Sequence, residues 1–260
     1  MNLRNENYED LLNSFLSFVE PIASGNIYDH ALEATFESMR DWSVFHTLED
    51  VKTWFINRRL ASTLEVQHVP LASLSDWDLN ETTGDLVHKS GDFFTVKGLR
   101  VKANSREREF GWDQPILEQV GLDGGILGII RQRFNGIPHY LCEAKEEPGN
   151  YGKVQISPSL QATFANLNQV HGGRKPNFAD LFLNLKTDST TTVLFDSWLA
   201  EDGGRLHLKR NRGILIEVAD KVQIDLPNEN FIWLSLFQIK TLMNEDAWIN
   251  PHVRGILAHV

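Results

Sequence analysis

The stretch Glu143-Ala-Lys-Glu-Glu-Pro-Gly-Asn150 sets three carboxylates and an ammonium at the end of an apolar run and closes with turn residues. Next comes Val154-Gln-Ile-Ser-Pro-Ser-Leu-Gln-Ala-Thr163, in which Gln155, Ser157, Ser159 and Gln161 recur at every second position. On an extended chain that spacing aims all four at one side. Such a row could hold a hydroxyl-rich ligand, or it could be the solvated face of a sheet. Trp198-Leu-Ala-Glu-Asp-Gly-Gly-Arg205 ends an apolar run with two carboxylates, then two glycines that permit close backbone approach, then an arginine. It reads either as a ligand clamp or as a hairpin turn with charged shoulders. His171-Gly-Gly-Arg-Lys-Pro176 offers cations on a glycine-rich loop that could meet phosphate, but its spacing matches no P-loop or dinucleotide fingerprint.

Other chemistries find less support. No Gly-x-Ser-x-Gly elbow occurs, and the single cysteine, Cys142, lies within an apolar run. His139, His171 and His207 are dispersed without metal-ligand spacing, so no metal site is expected. Trp77, Trp112 and Trp198 fit core positions.

The elements that must position these groups change character along the chain. Tyr8, Leu11, Leu12, Phe15, Leu16 and Val19 mark one helical face, stopped by Pro21 and Gly25. A second helix is expected from about Tyr28 to Arg40. A third follows Thr47, with Thr47 and Asp50 as its amino-terminal cap. From about Val66 short apolar runs alternate with Gly, Asn and Pro, as strands and turns do. Expected strands are Phe93 to Val101, Ile126 to Phe134, Ile137 to Ala144, Thr191 to Leu199, Arg205 to Lys209 and Gly213 to Val218. Asn135-Gly136 between two of them signals a hairpin. Trp233 to Met243 reads as helix. The order is α+β: an N-terminal helical arm over 1–65 and a sheet body with C-terminal helices over 66–260.

Composition narrows the functional classes. A net charge of −10 argues against an extended nucleic-acid surface, which needs clustered Lys and Arg, while leaving room for a small anionic ligand. The first twenty residues interrupt their apolar positions with charge, unlike a signal peptide, and no apolar run reaches the roughly eighteen residues of a membrane span. One cysteine precludes an internal disulfide. A cytoplasmic protein, without nucleic-acid or membrane partners, is the expectation.

Taken in order, several stretches resemble the NDP-hexose 2,3-dehydratase family: Trp77 with Gly84 to His88, Phe93 to Gly98, Arg108 to Pro115, Gly125 to Gly128 and Asn135-Gly136. The series continues through Glu147 to Asn150, Ser157 to Gln161, His171 to Gly173, Glu201 to Arg205, Arg210 to Arg212 and Asn250 to Leu257. The resemblance implies a Nudix-like fold, a mixed β-sheet body flanked by helices. The Nudix box of clustered glutamates is missing, which fits an enzyme that leaves pyrophosphate intact.

The implied reaction is loss of water from a dTDP-linked 4-keto-6-deoxyhexose, with no cofactor. It also implies Glu143, Lys145 and Glu201 as acid/base and enolate-stabilising groups. Trp77, Gln155, Ser157, Ser159, Gln161, Gly203, Gly204 and Arg205 would bind the substrate, with Arg205 on phosphate. Family chains carry two tandem copies and this sequence carries one, so a homodimer is expected to replace the second. Ala200 and Asp202 depart from the family's usual Ser and Glu. A noncatalytic nucleotide-sugar-binding subunit and a keto-sugar isomerase are the alternative readings.

Overall fold

The three-and-four spacing of apolar residues builds α1 (Tyr8–Val19) and contributes to α2 (Asp29–Glu37) and α3 (Leu48–Ala61). The computed structural model describes residues 8–20, 29–91, 94–102, 111–120, 124–169, 174–185 and 189–260; the expected starts at Tyr28 and Phe93 fall outside these. The capping box at α3 is present: Asp50 donates its N–H to the Thr47 hydroxyl at 3.2 Å, and Thr47 donates its own to the Asp50 carboxylate at 2.9 Å. Tyr8 meets Phe36 and Trp42 edge-on, with ring centroids 5.5 and 5.1 Å apart. Ala34, Val51 and Phe55 are buried in the same core as the sheet.

Two sheets follow. The smaller is an antiparallel meander of β1 (Trp77–Leu79), β2 (Leu86–His88), β3 (Phe94–Val101) and β4 (Trp112–Gln119). The larger, seven-stranded sheet begins with β5 (Gly125–Phe134) and β6 (Ile137–Glu146), joined by Asn135 and Gly136 at φ 53° and 78°. Those left-handed conformations belong to a tight primed hairpin turn, which is why Asn-Gly occupies it.

β5 and β6 pair only from Ile130 and Leu141 to the turn. Beyond that point they splay, and a folded-back pair enters the fork: β7 (Val154–Pro158) runs along β6, and β8 (Leu160–Thr163) returns along β5. Ser159 is the tip of this wedge. Its hydroxyl donates to the Leu141 carbonyl at 2.6 Å and accepts the Ile130 N–H at 3.0 Å, satisfying both strands where their ladder opens. The single strand suggested by the alternation of Gln155 to Gln161 is therefore two strands, because the chain reverses at Ser159.

After α4 (Phe164–Leu167) and α5 (Ala179–Leu183), β9 (Thr191–Ala200) and β10 (Arg210–Val218) extend the sheet on the far side of β5, and β11 (Phe231–Leu234) pairs with β6. Among the paired strands of the described residues, β5 and β10 alone are parallel. The helices α6 (Leu236–Leu242) and α7 (Pro251–Leu257) end the chain's regular structure. Gly128 lets the Phe182 ring of α5 lie on the sheet, since a Cβ there would stand 2.4 Å from it.

Two expectations are corrected. Residues 205–209 form a turn with one isolated bridge, Leu206 to Leu117, rather than a strand. Trp233 lies in β11, not in a helix; the helix starts after Ser235, whose hydroxyl caps Gln238. One face of the large sheet is covered by α3, α6 and α7 around Phe55, Ile239 and Val253, and the other by α4 and α5 around Leu167 and Phe182.

Candidate active site

Successive side chains of a strand alternate between faces, so Glu143 and Lys145 share one face of β6. Register sets Glu143 opposite Ser157 and Phe231, and Lys145 opposite Gln155. The Lys145 ammonium stands 3.5 Å from the Glu143 carboxylate. Burial raises the Glu143 carboxyl above its ordinary range; Lys145 opposes that rise and Glu147 adds to it. The pair is thus a carboxyl biased toward holding its proton beside a fixed positive charge.

Glu147 begins the turn at the mouth of the fork. Its N–H donates to the Lys153 carbonyl at 3.1 Å, its carbonyl accepts the Asn150 N–H at 3.1 Å, and the Asn150 amide reaches back to the Lys145 carbonyl at 3.3 Å. Gln161 on β8 donates to the Glu147 carboxylate at 2.9 Å. The other end of that amide, Oε1, is buried and has no hydrogen-bond partner among the described residues. A buried acceptor left open beside the Glu147 carboxylate is a place for a ligand hydroxyl.

The rest of the polar row is hydrogen-bonded within the fold. Gln155 is held between the Ala247 carbonyl (3.0 Å) and the Asn250 amide (3.2 Å). Ser157 is fully buried, with its hydroxyl 3.5 Å from the Gln155 carbonyl. Ser159 is engaged at the wedge tip.

Glu201 stands elsewhere. Its carboxylate accepts the Asn211 amide and lies 3.7 Å from His252 Nδ1 on α7. Buried Lys209 donates to the Asn211 side-chain oxygen at 2.9 Å and to the Gln119 side chain of β4. α7 covers the sheet face opposite to the one that Glu143 shares with Leu141 and Phe231. The structure therefore joins Glu143 to Lys145 and sets Glu201 apart from both. Sequence reading missed Lys209 and His252 as neighbours of Glu201; Arg210-Asn-Arg212 was the one local signal near them.

The loop from Glu201 to Lys209 is closed at its neck by the Glu201 N–H on the Lys209 carbonyl, at 3.0 Å. Within it Gly203, Gly204 and Arg205 are exposed. Asp202 accepts the Gly204 N–H at 2.9 Å and pairs with the Arg205 guanidinium, and Gln114 of β4 donates to the Gly204 carbonyl at 3.0 Å. With its side chain 79% exposed, Arg205 is open to an anion. Trp77 is half-buried on β1 of the small sheet, its ring 5.4 Å from that of His88. His171 to Gly173 lie outside the described residues. No group of three or more His, Cys, Asp and Glu side chains placed to hold a metal occurs among the described residues.

Comparison with known proteins places this geometry in context. The family model for NDP-hexose 2,3-dehydratase matches residues 48–260. A dTDP-4-dehydro-6-deoxy-alpha-D-glucopyranose 2,3-dehydratase of Amycolatopsis orientalis is 36% identical over 250 residues, covering 93% of this chain and 51% of that protein. One of the same description from Saccharopolyspora spinosa is 36% identical over 245 residues, covering 93% and 47%. The chain spans about half the length of the curated relatives it matches. Among solved structures, a Nudix hydrolase from M. smegmatis aligns over 62% of this chain and 97% of its own, at 13% identity and a TM-score of 0.31.

Proposed function

The chain belongs to the NDP-hexose 2,3-dehydratase family, and from that premise we propose that it removes water across carbons 2 and 3 of a dTDP-linked 4-keto-6-deoxyhexose. The product is a 3,4-diketo-2,6-dideoxy sugar, and the setting is deoxysugar biosynthesis. A ketone at carbon 4 acidifies the hydrogen on carbon 3. A base takes that proton, the electrons move into the carbon 4 oxygen, and the carbon 2 oxygen then leaves as water with a proton from an acid. The resulting enol tautomerises to the diketone.

The observation that carries the reading is the Glu143–Lys145 pair, 3.5 Å apart on one strand face, with the Glu143 carboxyl raised by burial. A carboxyl raised above its ordinary range by burial suits proton donation to the departing oxygen. A neighbouring ammonium suits the enolate, whose charge is stabilised by donors fixed before the reaction. Gln161 Oε1 is open to a sugar hydroxyl. The exposed Arg205, at the Gly203-Gly204 turn, supplies a cation for the diphosphate. Glu201 and Trp77 remain candidates on the same proposal, Glu201 as an acid/base group and Trp77 on the nucleotide.

The reading includes a cytoplasmic setting and self-association into a homodimer, which light scattering in solution would test: a monomer mass removes the dimer. For the reaction, incubation with dTDP-4-keto-6-deoxyglucose should give a product lighter by one water. Thermal protection without product would put a binding subunit in its place, and a product that keeps every oxygen would mean isomerisation. Glu143→Gln should slow turnover about 100-fold with substrate affinity kept. Near-normal turnover would remove Glu143 from the chemistry.

A further inference from the structure

Outside the groups already described, one histidine is held as a general base is held. His207 Nδ1 stands 2.7 Å from Glu118 Oε2, and the other oxygen of that carboxylate takes the Lys97 ammonium at 2.5 Å. Three neighbouring segments of the small sheet's edge each give one residue: β3 gives Lys97, β4 gives Glu118 and the 201–209 loop gives His207. The backbone fixes the last of these. Leu117 donates its N–H to the Arg205 carbonyl at 2.9 Å and accepts the His207 N–H at 2.8 Å. Lys97, then His207, hold the Glu118 carboxyl below the usual carboxylate range, so it is an ionised acceptor. In its neutral form, an imidazole that donates Nδ1–H to a carboxylate keeps its lone pair on Nε2. No described residue takes a hydrogen bond at that nitrogen, and the ring is one-third exposed.

We infer that His207 is the base that removes the carbon 3 proton, with Glu118 as its positioning residue. The inference rests on the dehydratase reading above. Arg205 and His207 flank Leu206, the residue bridged to β4, so one docked loop carries both side chains. A diphosphate on Arg205 therefore brings its sugar toward His207. Glu201 is less free for this role, because its carboxylate already receives Asn211 and faces His252. In the step, His207 Nε2 takes the proton and the C–H electron pair moves into the carbon 4 oxygen. Collapse of that enolate expels the carbon 2 oxygen as water, using a proton delivered by solvent. Solvent then takes the imidazolium proton.

The test compares single-turnover water loss from dTDP-4-keto-6-deoxyglucose, unlabelled and deuterated at carbon 3, in the unaltered chain, His207→Gln and Glu118→Gln. Expected for His207→Gln is a fall of about 100-fold, with an isotope effect at least as large as in the unaltered chain and dTDP affinity unchanged. Glu118→Gln should fall at least about tenfold and also keep its dTDP affinity. Water loss by either variant at the unaltered rate overturns the inference. So does a loss of rate that comes with an equal loss of dTDP affinity and no isotope effect, which marks a structural role. Failure of the dehydratase reading would show separately, as no water loss from the unaltered chain.

Discussion

Ser159 has its hydroxyl between two backbone groups, the Ile130 N–H and the Leu141 carbonyl. Ser159→Ala removes both hydrogen bonds, and the expected loss is about 2 kcal/mol in chemical denaturation. A loss below about 0.5 kcal/mol would mean that water replaces the hydroxyl. The alternation of Gln155, Ser157, Ser159 and Gln161 was legible in the sequence, and so was the presence of strand there. The reversal was not, because Pro158-Ser159 carries neither glycine nor Asn-Gly at the bend. Nor could sequence pair His207 with Glu118, which lie 89 residues apart and meet only because the 201–209 loop docks on β4. Glu143 and Lys145, two apart on one strand, were legible for the opposite reason: their meeting is local.

Elements with local punctuation were the easiest to read. Thr47 and Asp50 mark the start of α3 in the sequence and form both hydrogen bonds of a capping box. Thr47→Ala should cost about 1 kcal/mol in thermal or urea unfolding, and an unchanged midpoint would assign the helix start to Phe55 and Val51 packing alone. The β5–β6 hairpin was equally plain, because Asn135 and Gly136 both take positive φ. β11 was misread because four consecutive buried apolar residues, Phe231 to Leu234, have no period to separate strand from helix. Residues 205–209 misled in a different way: alternating Leu206 and Leu208 look like a strand, yet Leu208 is 82% exposed and the segment makes one isolated bridge.

At the scale of the whole molecule, the N-terminal helices are tied to the sheet by buried charge. Arg131 on β5 meets Glu33 and Glu37 of α2, each at 2.7 Å, and Tyr140 donates to Glu37 at 3.0 Å. Burial pushes Glu37 up to about 7 despite Arg131, whereas Arg133 and Arg131 overcome burial at Glu33 and hold it at about 2. The signs are opposite. Glu33 stabilises the fold above its ordinary value of 4.5, and that contribution is lost as pH falls toward 2. Glu37 adds a penalty that is absent below 4.5, grows up to about pH 7 and is constant above it. Stability should therefore fall between pH 5 and about 7, and Glu37→Gln should flatten that slope in urea titrations at several pH values. An identical slope in the variant would show that Glu37 stays ionised throughout. The wedge between β5 and β6 has a mechanical corollary. A one-residue slip of either strand would drive Ser159 into a ladder and turn every side chain to the wrong face, so the wedge fixes the register of both strands by main chain rather than by movable loops.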